Sequence, residues 1–157
     1  MQIFRTPEEF RSWRKSLGSQ SVGFVPTMGA LHAGHTSLLQ RARSENDICV
    51  LSIFVNPTQF NDKTDFEKYP ITWDADLEIA EQNKVDAIFA PLTPLMYPDD
   101  YLYKLTEQNF SRVLCGKDRP GHFDGVLTVV MKLFQIVQPQ KAYFGEKDFQ
   151  PLTLIQG

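Results

Sequence analysis

The sequence predicts an α/β fold: an open, mainly parallel sheet with helices on both faces. Three observations carry this. Short apolar, β-branched runs recur at 22–25, 48–55, 85–90 and 141–144, with amphipathic stretches between them. The run Ile48-Cys49-Val50-Leu51-Ser52-Ile53-Phe54-Val55 is almost continuously apolar, the mark of a strand covered on both faces. The connections have about the length that right-handed crossovers need, and no repeat, linker or low-complexity segment interrupts them. A chain of 157 residues suffices for one domain with its own core.

Thr6-Pro7-Glu8-Glu9 opens the first helix: Thr6 caps, Pro7 fits the first turn and Glu9 completes a capping box. Phe10, Trp13 and Leu17 form its apolar stripe, and Gly18 ends it. Val22 to Val25 is a strand that breaks at Pro26, and a helix with Leu38, Leu39 and Ala42 follows from about Thr36 to Glu45. The strand 48–55 ends in Asn56-Pro57-Thr58-Gln59-Phe60. Residues 61–69 read as a mobile polar loop, and Thr72 caps a helix running to about Asn83. Val85 to Ala90 is the third strand; Pro91, Pro94 and Pro98 break up the connection after it. Tyr101 to Leu105 alternates like a short edge strand, and 109–114 reads as a helical turn ending at Gly116. Val126 to Val137 is a mostly buried helix stopped by Pro139, and Lys141 to Phe144 is the fourth strand.

Composition excludes several classes. The net charge is −3 and the pI about 5.6, which argues against a protein held by nucleic-acid phosphates. No apolar run is long enough to span a membrane, and the first residues lack a secretory pattern. Cys49 and Cys115 lie far apart and read as free thiols of a reducing, cytoplasmic compartment.

The chain is organised around Ser21 to His35, a strand, a glycine-containing loop and a helix start. A helix N-terminus offers free N–H groups and roughly half a positive charge, a natural phosphate site. His32 and His35, three residues apart, can both donate to phosphate oxygens there. Set against this is a pair of ordinary surface or capping histidines. Asn56 and Gln59 lie beyond the carboxyl end of a central strand, where open α/β sheets bind ligands. A plain turn accounts for Asn56 equally well, and less well for Gln59. Lys147 follows another strand end and suits an ATP phosphate as a point charge, while Asp148 can cap the next helix. Arg119 and His122 are read evenly as an anion site or a surface loop. Asp65, Asp74 and Asp76 can approach a metal, but solvated or dipole-pairing carboxylates are the plainer reading, and no protein-built metal site is expected.

Four motifs together resemble the pantoate–β-alanine ligase family. They are Pro26-Thr27-Met28-Gly29-Ala30-Leu31-His32-x-Gly34-His35, Ser52 to Phe60, Arg119-Pro120-Gly121-His122-Phe123-x-Gly125-Val126, and Phe144 to Gln150. The first alone is shared with other HxGH nucleotidyltransferases and class I aminoacyl-tRNA synthetases; all four in this order are specific, and the match is collinear from residue 3 to 157. The resemblance implies a Rossmann-like N-terminal nucleotide-binding domain over residues 1–157. It implies a ligase that makes pantothenate through a pantoyl adenylate, releasing pyrophosphate and AMP. Carried over, Met28, Gly29, Ala30, Leu31, His32, Ala33, Gly34 and His35 wrap ATP, with Gly145, Glu146, Lys147 and Asp148 completing its site. His35, with His32 and Lys147, is catalytic, His35 in the proton donor's position. Gln59 binds pantoate and then β-alanine, with Asn56 beside it, and Mg²⁺ bridges the phosphates. A homodimer is implied; nucleic acid and membrane are not.

Three departures stand out. The family continues beyond residue 157 to a serine-and-arginine segment and a C-terminal lid, so the chain alone is expected to be inactive or very weak. Pro151 replaces a family glutamine that holds pantoate; losing that hydrogen bond costs on the order of 1–3 kcal/mol, roughly ten- to a hundredfold in binding. Ile71 replaces the usual arginine after Tyr69-Pro70. The readings weighed against the ligase are an adenylyltransferase of the same superfamily and a non-catalytic nucleotide-binding or dimerisation fragment.

Overall fold

In the computed structural model, which describes residues 1–147 and 149–157, the chain runs β1 (Gln2–Phe4), α1 (Pro7–Ser16), β2 (Val22–Thr27), α2 (Ala33–Glu45), β3 (Ile48–Ile53), α3 (Lys63–Glu67), α4 (Trp73–Gln82), β4 (Ala87–Phe89), α5 (Thr93–Met96), α6 (Cys115–Asp118), α7 (His122–Val137), β5 (Lys141–Ala142) and α8 (Phe149–Gln156). The described residues form one five-stranded parallel sheet in the order β1-β4-β3-β2-β5. From β2 the chain steps outward through β3 to β4, then returns to place β5 on the other side of β2. The order reverses at β2, so the crevice beyond its carboxyl end is the topological switch point.

Strand alternation sorts the core into two layers. Val22, Phe24, Val50 and Phe89 pack with Phe10 of α1 and with Val130, Leu133 and Val137 of α7. Val25, Leu51 and Ile88 pack on the opposite face with Leu39 and Ala42 of α2 and Ala80 of α4. Burying each large apolar side chain contributes roughly 1.5–3 kcal/mol, so both helical layers are tied to the sheet. The expected α/β architecture with helices on both faces is what the structure shows.

Several boundaries differ from expectation. The edge strand β1 is new; it is three residues long and pairs with β4 from Gln2↔Ala87 to Phe4↔Phe89. Tyr101 to Leu105, expected as a short edge strand, is not a strand: Asp100 and Tyr101 have φ of +52° and +62°, which breaks extended backbone. Residues 61–69 contain α3, capped by the Asp62 side chain, and Phe66 packs against Phe60 with ring centroids 5.5 Å apart. Thr6 caps α1 as expected by accepting from the Glu9 amide at 3.2 Å. Thr72 makes no side-chain cap. α6 runs through Gly116, where a helix end was expected.

β2 does not break at Pro26 but continues to Thr27. Along β2 the even residues turn their backbone groups toward β5, since Val22 and Phe24 carbonyls accept from Gln140 and Tyr143 amides. The odd residues face β3, where the Thr27 carbonyl accepts from Phe54. Pro26 therefore turns its nitrogen to the β5 side, past the last β5 pair at Phe24↔Ala142. A missing donor there interrupts no ladder. β5 is correspondingly shorter than the expected 141–144.

α7 starts at His122, four residues earlier than expected, behind Gly121 at φ +77°. At Gly125 the helix lies directly on the 57–59 turn: a Cβ there would stand 2.6 Å from the Thr58 carbonyl oxygen and 2.7 Å from the Gln59 nitrogen. Only glycine lets α7 seat so close.

Candidate active site

Three segments follow the carboxyl ends of β2, β3 and β5, and the first two are in contact. The first leaves β2. Thr27 Oγ1 donates to the Ser52 carbonyl at 2.7 Å and accepts from the Gly29 amide at 3.1 Å, which starts the turn. Gly29 and Ala30 then take positive φ, +84° and +51°. The alanine has no native preference for that region, a cost of roughly 1–2 kcal/mol. What holds it is Asp76 of α4, a carboxylate only 2% exposed. Its Oδ2 accepts from the Ala30 amide at 3.0 Å and its Oδ1 from the Leu31 amide at 2.8 Å. Thr72 Oγ1 donates to the same Oδ1 at 3.1 Å. Hydrogen bonds to a charged acceptor contribute about 1.5–3 kcal/mol each, enough to outweigh the strain.

The loop delivers the chain to α2 with His32 as its N-cap. His32 Nδ1 accepts from the Gly34 amide at 3.0 Å, and His35 Nδ1 accepts from the His32 amide at 3.2 Å, a reciprocal capping box. A Cβ on Gly34 would lie 2.8 Å from His32 Cε1, so the capping ring requires glycine there. The two rings sit 4.2 Å apart between centroids. The capping reading of the pair is what the structure shows, and it leaves the Nε2 side of each ring outside the cap. Because each Nδ1 is an acceptor, each neutral ring carries its proton on Nε2. Neither Nε2–H has a hydrogen-bond partner among the described residues. The arrangement provides two neutral donors beside a helix N-terminus. His35 is half-buried, and burial, then His32, lower its pKa, with Asp76 opposing.

That shift has a sign. The unfolded imidazole titrates near 6.5 and the folded His35 lower, so between the two values the unfolded chain binds more protons. Stability from this group is complete above about pH 6.5 and falls as the pH drops through the window. In an NMR titration the His35 ring is expected to have its midpoint below that of an unfolded-chain histidine; a midpoint at or above it would contradict the neutral-donor arrangement.

The second segment leaves β3. Asn56 is 1% exposed, and its amide is consumed within the protein. Its Oδ1 accepts from Tyr97 Oη at 2.6 Å, Thr58 Oγ1 at 2.9 Å and the Thr58 amide at 3.3 Å. Its Nδ2 donates to the Gly125 carbonyl and to Gln59 Oε1, both at 3.1 Å. With Oε1 held, Gln59 presents its Nε2, which lies 3.4 Å from Met28 Sδ in the first loop. The two loops are thereby joined. His122 is buried, and its Nδ1 donates to the Gln59 carbonyl at 2.6 Å. Neither of the expected readings of His122, anion site or surface loop, describes that contact; Arg119 is exposed. Burial pushes the Tyr97 phenol up to about 12, so it stays a donor at neutral pH.

The third segment follows β5. Gly145, Glu146 and Lys147 are exposed there; Asp148 lies outside the described residues. Pro151 falls in the first turn of α8, where a backbone N–H would find no helical acceptor. Its neighbour Gln150 is buried and fixes the 110–115 segment, bonding the Phe110 and Val113 carbonyls and the Cys115 amide. Ile71 is 85% exposed. Cys49 is buried, and its thiol is raised to about 12 by burial, so it is inert. Among the described residues no three His, Cys, Asp or Glu side chains cluster to hold a metal, and no helix is long and apolar enough to cross a membrane.

Asp76, Tyr97 and His122 are the supports that sequence reasoning missed. For Asp76 a signal existed: it shares a helical face with Trp73, Leu77 and Ala80, the face packed on the sheet. A lone acid on such a face needs a partner.

The Pantoate-beta-alanine ligase family model matches residues 2–157. The pantothenate synthetase of Bdellovibrio bacteriovorus is 66% identical over 156 residues, covering 99% of this chain and 62% of the relative. That of Coxiella burnetii is 53% identical over 156 residues, covering 99% and 60%. The crystal structure of the Francisella tularensis pantoate-β-alanine ligase complexed with "Beta-gamma ATP and Beta-alanine" superposes with a TM-score of 0.96 at 48% identity, over 99% of this chain and 60% of that one. The Thermus thermophilus pantothenate synthetase gives 0.92 at 44% identity, over 99% and 56%. The chain spans about 60% of the length of the curated relatives it matches.

Proposed function

The chain belongs to the pantoate–β-alanine ligase family, and from that we propose that it forms the ATP- and pantoate-binding part of an enzyme joining pantoate to β-alanine. The observation that carries the proposal is the pairing of two outward Nε2–H donors at the start of α2 with the Gln59 amide, one loop linked to the other at Met28. Donors to phosphate stand beside a donor suited to a hydroxy acid. The Francisella tularensis relative, at 48% identity, is a complex with an ATP compound and β-alanine.

In the first step a pantoate carboxylate oxygen bonds to the α-phosphorus of ATP, and the bond to the bridging oxygen breaks, releasing pyrophosphate. In the second, the β-alanine amine attacks the acyl carbon, loses a proton, and AMP departs. Neither step needs an enzyme nucleophile; positioning and charge neutralisation carry the rate. Met28 to His35 wraps ATP and offers the histidine side chains and the start of α2 to the phosphates, since the Gly29, Ala30, Leu31, His32 and Gly34 amides are already bonded within the protein. His32 and His35 donate to oxygens as charge builds on the leaving group, His35 standing in the proton donor's position. Lys147 adds a point charge from beyond β5. Gln59 orients pantoate and later β-alanine, and Asn56 acts on substrate through Gln59.

Magnesium fits this site only as the companion of ATP. The buried carboxylate nearest the loop is spent on backbone amides, and Mg²⁺ characteristically binds through substrate phosphates with few protein ligands. When bound it neutralises phosphate charge.

Calorimetric titration of the chain with MgATP, then pantoate, tests the binding half of the proposal. Saturable ATP binding, weakened about tenfold by Lys147→Ala, is expected; a folded chain that ignores ATP would overturn it. Pantoate-dependent exchange of pyrophosphate into ATP tests the adenylate. Exchange indifferent to pantoate would point instead to a simple adenylyltransferase.

A further inference from the structure

Asp76 presents a problem for a site that takes a polyphosphate. It is an acid placed directly beneath the nucleotide loop, where its charge opposes the ligand. Packing does not require it, since the same face of α4 is otherwise apolar. The loop, however, is built around it. Both carboxylate oxygens are engaged by consecutive amides, Ala30 and Leu31, just where the backbone passes through positive φ. A Cβ on Gly29 would come within 3.0 Å of Asp76 Oδ2, so the backbone crosses the carboxylate at contact distance. These two amides are turned inward and withheld from any phosphate. The next residue is His32, the cap that positions His35.

We propose that Asp76 is a positioning residue of the ligase reaction: its carboxylate fixes the left-handed turn that aims the His32–His35 pair. The proposal rests on the ligase function proposed for this chain. Geometry sets the aim. The groups around His35 among the described residues provide a readout of that geometry. His32 on the adjoining cap opposes a second positive charge, and Asp76 from α4 favours one. Tyr69 shares the neighbourhood, its phenol raised by burial and next by Asp76. As pyrophosphate leaves, the neutral His35 ring donates a hydrogen bond from Nε2 and keeps its proton, and the turn fixed by Asp76 sets where that donor points.

The substitution that tests this is Asp76→Asn, which keeps the shape, removes the charge and leaves one acceptor for two amides. In the ligand-free protein the His35 midpoint is expected to move to lower pH, and the Ala30 and Leu31 amides to lose hydrogen-exchange protection while β2 keeps its own. In pantoate-dependent exchange kcat is expected to fall about tenfold or more, with the KM for pantoate held and the acid limb of the pH profile displaced downward. A merely structural acid would leave the His35 titration where it was. An unmoved midpoint together with unchanged protection at Ala30 and Leu31 overturns the proposal.

Should Asp76→Asn fail to fold, Thr72→Val decides. It removes the third hydrogen bond to the carboxylate and keeps its charge. Faster exchange at Ala30 and Leu31 with an unmoved His35 midpoint supports the positioning role, and unchanged exchange refutes it. The NMR readouts need no turnover. Failure of the functional reading would show separately, as folded wild-type chain that does not bind MgATP.

Discussion

His35→Ala is expected to lower pantoate-dependent pyrophosphate exchange by about a hundred- to a thousandfold, the usual effect of removing one preorganised donor from a developing oxyanion. ATP affinity is expected to change by only a few-fold, because a donor that tightens as charge develops contributes mainly in the transition state. The alanine also removes the acceptor for the His32 amide, a capping loss of about 1 kcal/mol. His35→Gln distinguishes the two effects. A glutamine at the third helical position can close a capping box and offers an N–H, but it carries no exchangeable ring proton. It is expected to recover stability in urea melts without recovering the rate. Recovery of both would reduce His35 to a cap.

Gly125→Ala is the second large effect, and it reaches the substrate from behind. The added Cβ would stand 2.6 Å from the Thr58 carbonyl oxygen and 2.7 Å from the Gln59 nitrogen, well inside contact distance and against backbone on both counts. Either α7 or the 57–59 turn must retreat. Overpacking of this kind costs typically about 1–3 kcal/mol. The retreat also strains the Asn56 to Gly125 hydrogen bond and, through Asn56, the hold on Gln59 Oε1. Pantoate affinity is expected to fall about tenfold or more, since small displacements of positioning groups are costly, while MgATP binding is retained. A folded variant with wild-type pantoate affinity would show that α7 does not position Gln59.

The sheet was legible wherever strands were buried on both faces. The runs containing Val50 and Ile88 have no competing reading, because only a doubly covered strand is so continuously apolar. β1 escaped because an edge strand of three residues, half solvated, carries too little pattern. Pro26 misled because the effect of a proline depends on which neighbour its nitrogen faces, a fact set by register and not by local sequence. In the site, the histidine pair was visible because both residues lie on one loop. Asp76, 45 residues beyond Leu31, and His122, 63 beyond Gln59, act across the tertiary structure; the apolar face around Asp76 signals that it needs a partner, but nothing local says which. Asn56 was visible as a polar group at a strand end, but its burial and its full complement of partners arise only when α7 and Tyr97 arrive.

The direction of the Pro26 nitrogen also bears on where the sheet ends on its β5 side. A growing β-ladder extends like a zipper, each tooth needing a donor and an acceptor. On its β5 side β2 offers a tooth at Val22 and at Phe24 and then, at Pro26, a blank. The zipper lacks its donor there, so the β2–β5 ladder ends at Phe24 while β2 runs on to Thr27. The last residues of β2, those before the 28–35 loop, are left without a partner strand on that side.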